Sequence, residues 1–162
     1  MLSLSGCVSV PKAVTPVNEF AVEKYLGKWY EIARLDHSFE RGLEQVYAEY
    51  SLREDGGIKV KNVGFSADEN EWKESEGKAY FVSDETIGHL KVSFFGPFYG
   101  SYVIFELDQE DYQYAFVCGP NTSYLWLLSR TPVVDEGLLA RFIEESKKLG
   151  FDTDELIVVK QK

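Results

Sequence analysis

From Gly27 onward, short runs rich in Tyr, Phe, Val, Ile and Leu recur every 8–15 residues or about that, separated by clusters of Gly, Asp, Asn and Pro. That spacing predicts an all-β meander with strands at 28–36, 45–53, 57–65, 72–83, 87–95, 100–108, 111–118 and 122–130, and a short ninth at 155–160. Glu54-Asp55-Gly56-Gly57 carries an Asp-Gly hairpin signal, and Asp108-Gln109-Glu110-Asp111 and Gly119-Pro120-Asn121 join adjacent runs. In the second strand, alternation puts Val46, Ala48, Tyr50 and Leu52 on one face and Tyr47, Glu49, Ser51 and Arg53 on the other. Ile58, Val60 and Asn62, and likewise Leu90, Val92 and Phe94, form similar one-sided sets.

Over residues 133–149 the period changes. Val134, Leu138, Phe142 and Leu149 share one helical face, Asp135 and Glu136 open the helix, Lys147 and Lys148 close it, and Gly150 stops it. Eight sequential strands avoid open edges by closing into an up-and-down barrel or folding into a sandwich, and hairpins between neighbours favour the barrel. The late helix then packs on the outside of the closed sheet. A barrel of eight strands leaves room for packed side chains or for one small ligand.

Composition narrows the function. A chain of 162 residues makes one domain, and its 10 Tyr and 11 Phe are a heavy aromatic load that must line something. The net charge of −10 repels nucleic acid and anionic lipid surfaces, so attachment to a membrane calls for a covalent anchor or a local patch. After Cys7 no apolar run approaches the roughly 20 residues of a spanning helix. Cys7 and Cys118 make no disulfide framework, and Cys118, in a predicted strand, reads as a small buried residue. Catalysis finds little support: the histidines are His37 and His89, no nucleophile, zinc or phosphate-loop motif is present, and the paired carboxylates read as surface charge. No catalytic residue, metal or cofactor is expected.

Leu4-Ser5-Gly6-Cys7 reads as the end of a lipoprotein signal, with Cys7 as the lipidated residue, although the charged and apolar regions of such a signal are missing before it. Residues 8–18, with Pro11 and Pro16, read as an extended tether. The expected division is thus 1–18 as truncated signal and tether and 19–162 as the barrel domain.

The stretch Tyr25-Leu26-Gly27-Lys28-Trp29-Tyr30 resembles the first structural motif of the lipocalins, a Gly-x-Trp opening the first strand. Asp108 with Asp111-Tyr112 resembles the second motif, here with a longer turn, and Leu128-Ser129-Arg130 the third. The segments 35–44 and 93–100 resemble the bacterial outer-membrane lipocalin lipoproteins, a similarity running from about residue 18 to 160. The resemblance implies that Gly27, Trp29 and Arg130 form the barrel floor, with a cation–π contact worth roughly 0.5–2 kcal/mol. It also implies a fatty-acid or lysophospholipid carrier lipid-anchored at the outer membrane of a Gram-negative envelope, and homodimers as one assembly.

Read with that geometry, the expected pocket and mouth residues are Ala33, Leu35, His37, Phe39, Val46, Ala48, Val60, Phe81, Leu90, Val92, Phe94 and Tyr102. For the strand residues parity decides between cavity and outside, and a slip of one residue turns a strand inside out. About ten buried methylenes would contribute some 8 kcal/mol gross, much of it offset by the cost of association. A charged head group is expected to stay wet at the mouth. The Phe95-Gly96-Pro97-Phe98-Tyr99 hairpin holds aromatics that lipid access, a dimer contact or folding back over the rim would each explain. An envelope interaction protein using that rim is the competing reading. A lipid-acting enzyme would need His37 or Cys118 beside an acid in the cavity.

Overall fold

The computed structural model describes residues 8–162; Cys7 and the signal-like segment before it lie outside the described residues. A short helix α1 (Val22–Tyr25) leads into β1 (Gly27–Leu35), β2 (Leu43–Leu52), β3 (Ile58–Ser66), β4 (Glu71–Phe81), β5 (His89–Phe95), β6 (Phe98–Leu107), β7 (Tyr114–Cys118) and β8 (Leu125–Ser129). Helix α2 (Glu136–Lys148), a single 3-10 turn and β9 (Leu156–Val158) follow. Each strand from β1 to β8 pairs antiparallel with the next, and β1 returns to β8 to close an up-and-down barrel.

Closure is shared along β1. Its first half, Gly27 to Tyr30, pairs with β2, whereas Ala33 to Leu35 pair with β9. The C-terminal tail fills the gap where β1 and β2 part: the Gln45 amide donates to the Lys160 carbonyl at 2.6 Å, and the Gln161 side chain donates to the Glu31 and Val46 carbonyls. This gives the ninth strand its place.

Two apolar layers result. Inside the barrel Trp29, Tyr25, Tyr50, Ile104, Ala115 and Val117 form one cluster. Outside it, Phe116, Val103, Leu125 and Leu127 meet Phe142 of α2, with Phe116 and Phe142 5.0 Å apart between ring centroids. Asp135 caps α2 by accepting from the Leu138 amide at 2.9 Å, and Gly150 ends it at φ +97°.

Several strand bounds shift from the pattern reading, and three departures have evident local reasons. β7 begins at Tyr114, because Asp108 accepts from the amides of Asp111 and Gln113 and holds a turn in which Tyr112 takes φ +51°. β2 bulges between Glu44 and Tyr47, with Gln45 at φ +52°. Residues 8–18, expected as an extended tether, lie along the barrel instead: Val14 is buried in the outer layer, and Val17 bonds to both Ile104 and Gly88. Among the described residues no helix is long and apolar enough to cross a membrane.

Candidate functional site: the barrel cavity

The cavity begins at a sealed floor. Trp29 is fully buried, and its indole N–H donates to the Tyr25 carbonyl at 2.8 Å. Arg130 lies over the indole with its guanidinium carbon 3.9 Å from the ring centroid. The guanidinium also donates to the carbonyls of Lys24 (2.8 Å), Lys28 (3.0 Å) and Tyr112 (3.0 Å), tying α1, β1 and the turn before β7 together. Gly27 holds φ +101°, and a Cβ there would lie 3.4 Å from the Arg130 guanidinium.

Above the floor the barrel holds a cavity of about 120 Å³ that opens at the mouth. Ala48, Ile58, Val60, Ala79, Leu90 and Val92 make an apolar wall. Three phenols enter near the floor: Tyr25 and Tyr102 oxygens are 2.6 Å apart, and Tyr50 and Tyr102 oxygens 2.8 Å apart. Burial pushes the pKa of all three well up.

An ionic cluster occupies one side. Glu31 of β1 and Glu40 of the β1–β2 loop both face the cavity. Arg34, almost wholly buried, reaches Glu31 at 3.4 Å and donates to the Glu40 carbonyl at 3.0 Å. Glu40 Oε1 also accepts from Trp126 Nε1 at 3.0 Å and sits 2.9 Å from His37 Nε2. Burial, and then the neighbouring Glu40, hold the Glu31 carboxyl well above its ordinary range. For Glu40 burial pushes the same way, but its neighbours Glu31 and His37, with the nearby charge of Arg34, overcome it and hold the group down to about 2. Their shared site thus drives the two carboxyls in opposite directions, and the cluster pins the loop over the barrel.

The sequence matches the family described as Lipocalin-like domain over residues 20–161. The chain belongs to the lipocalin-like family. This lipocalin is 67% identical over 158 residues to the outer membrane lipoprotein Blc of Vibrio cholerae serotype O1, covering 98% of this chain and 92% of that protein. It is 53% identical over 151 residues to the Blc lipoprotein of Escherichia coli K12, covering 93% and 85%. Among solved structures, insecticyanin of the tobacco hornworm superposes with a TM-score of 0.74 at 21% identity, covering 94% of this chain and 86% of that one. The cockroach allergen Per a 4 does so at 0.72 and 24% identity, covering 96% of both. These two share the fold.

Of the residues read from the sequence of this lipocalin, the cavity wall brings together Ala48, Val60, Leu90, Val92, Phe94 and Tyr102. Phe81 packs beside them against Phe20, at 6.0 Å between rings. Ala33 and Leu35 do not face the cavity: a bulge between Glu31 and Ala33 inserts Ile32, reverses the parity of β1 and sends both into the layer beneath α2. Arg34 takes the inward position opposite Trp126. Val46 is buried beside Gly64 at the β2 bulge and off the cavity wall, and Leu52 of the same alternation is exposed. His37 is packed against Phe39, Tyr124 and Trp126 and is held by Glu40, while Phe39 is 80% exposed at the mouth. The histidine thus supports the loop and is not part of the cavity lining.

Cys118 is buried in the outer layer, and burial pushes its thiol up to about 12, which removes it as a nucleophile. Alternation had put Tyr50 on the face of Ala48, whereas Tyr25, Glu31, Glu40 and Trp126 are among the lining residues that the pattern did not bring to the cavity. A charged residue two positions after an inward Trp, as Glu31 is, was the one available signal for the cluster.

Proposed function

We propose that this lipocalin binds and carries a single-chain lipid, a fatty acid or a lysophospholipid, at the Gram-negative cell envelope, and is anchored to the outer membrane through Cys7. The chain is a ligand-binding protein by family and not an enzyme. The observation that carries the lipid reading is the sealed floor under an open, apolar-walled cavity. Relatives at 53% and 67% identity bear the name outer membrane lipoprotein, which supports the anchor and its location. The domain division proposed is a lipidated N-terminus followed by the barrel from about residue 19, consistent with a family match that begins at residue 20.

The test is to incubate the purified protein with total membrane lipids, repurify it, and identify what is retained by native mass spectrometry beside an Ala48→Trp variant that fills the cavity. A stoichiometric lipid lost in the variant is expected; no retained lipid in either protein would overturn the reading.

A second reading rests on the mouth, where Phe95 is 80% and Phe98 70% exposed on the β5–β6 turn. Such a tip suits contact with a membrane or a second copy of the chain. Phe95→Ser with Phe98→Ser should leave lipid retention intact and abolish that contact if the tip is an interaction surface.

A further inference from the structure

Residues 36–42 join β1 to β2 at the end of the barrel opposite the floor. None of them is buried, and Phe39, the one large apolar side chain in the segment, is 80% exposed. Apolar packing therefore holds little of this loop down, and its polar ties converge on one residue. Among the described residues, every hydrogen bond and ion pair between the loop and strands β1 and β8 runs through Glu40. Arg34 Nη2 donates to its carbonyl at 3.0 Å, Arg34 Nη1 lies 3.9 Å from its Oε2, and Trp126 Nε1 donates to its Oε1 at 3.0 Å. The other contacts stay inside the loop: His37 Nε2 sits 2.9 Å from Glu40 Oε1, and Arg41 donates to Asp36 at 2.8 Å.

That hold is incomplete. Arg34 Nε, His37 Nδ1 and Glu40 Oε2 are buried without a hydrogen-bond partner among the described residues. Orphaned polar atoms are unfavourable, and water that reaches them when the loop lifts offsets much of what the ion pair loses. A segment with no buried apolar side chain and a half-satisfied ionic anchor belongs to the low-stability end of a fold. Its far end has room to move, because Gly42 holds φ +81° with open space where a Cβ would sit. Glu40 and Trp126 both line the cavity, so lifting Glu40 removes part of its wall.

We propose that the 36–42 loop is the gate of the cavity and that Glu40 is its latch, so that lipid enters and leaves when Glu40 parts from Arg34 and Trp126. Glu40 is then a positioning residue. It sets the rate of exchange and not the strength of binding, because its partners are protein groups that it leaves and rejoins with the cavity empty or filled. This rests on the lipid-carrier reading and adds to it how the cargo is exchanged.

The experiment follows a pyrene-labelled fatty acid by stopped-flow fluorescence, entering the full chain on mixing and leaving it for an excess of phosphatidylcholine vesicles. Glu40→Ala should speed both entry and release about tenfold, as expected for the loss of charge-assisted hydrogen bonds, while Kd stays within about threefold of the wild type. Glu40→Gln keeps an acceptor for Trp126 but loses the ion pair, and should give rates between the two. Faster release with entry unchanged, and Kd weakened in proportion, would overturn the latch, because it marks Glu40 as part of the binding surface. Unchanged rates in both directions would overturn it as well. If Glu40→Ala does not fold, the rates of Glu40→Gln decide by the same criteria. A wild type that binds none of the probe would remove the carrier reading itself, and the gate with it.

Discussion

Replacing Arg130 by Ala tests how the floor is held. Its guanidinium stacks on Trp29 at 3.9 Å and bonds three carbonyls drawn from three different parts of the chain, at 2.8–3.0 Å. The stacking is worth about 1 kcal/mol. The carbonyl bonds, partly open to water, contribute about 0.5–1 kcal/mol each because water can replace the lost donor. Together the loss should be about 3 kcal/mol, or a fall in Tm of about 6–12 °C for a chain of this size. Urea unfolding followed by tryptophan fluorescence would measure it, with an unchanged m value showing that the unfolded reference is the same. Arg130→Lys keeps the charge over the indole, but a single ammonium cannot span three carbonyls, so it should recover less than half of the loss. A loss below about 1 kcal/mol for Arg130→Ala, or a Lys variant equal to the wild type, would refute the assignment of the floor to this fork.

The ionic cluster predicts opposite pH trends for its two carboxyls. Glu31 is raised from its ordinary 4.5, so its stabilisation is full below that value and is lost as pH rises through the folded value; Glu31→Gln should flatten that decline, and an unchanged slope would count against it. Glu40 is held down to about 2 and stabilises above 4.5, so Glu40→Gln should weaken the protein at neutral pH and converge with the wild type as pH falls toward 2, measured by the same urea titrations. In a Cys7→Ser background, Cys118 should be unreactive to Ellman's reagent at pH 8 until denaturant is added; a native thiol titre would show that the outer layer opens. Phe142→Ala should cost about 3–5 kcal/mol while leaving lipid retention near normal, because Phe142 pins α2 to the outside of the barrel; loss of lipid at retained fold would contradict that separation.

Much of this architecture is written in local chemistry. Strand alternation and turn residues need only nearest neighbours along the chain, so the eight strands, the helix with its Asp135 cap and Gly150 stop, and the barrel were legible. The Gly-x-Trp and the Arg130 position carried the floor for the same reason: each is a short motif with one geometric use. Parity served the cavity wall wherever strands run regularly, as at Ala48 and Val60 and at Leu90 and Val92.

What the sequence could not supply lies where tertiary contacts override local pattern. A bulge adds one residue without any marker in the sequence, and at Ile32 it moved Ala33 and Leu35 outside and brought Arg34 in. Glu40 reads as one more acidic loop residue, and it becomes a buried carboxylate only because the loop folds back onto Trp126 and His37. The three phenols stand 25 to 77 positions apart in the chain, and only closure of the barrel sets their oxygens side by side. Alternation and capping are short-range properties that residue type fixes by itself; the identity of a cavity's polar groups depends on contacts between distant segments, which only the closed fold brings within hydrogen-bonding reach.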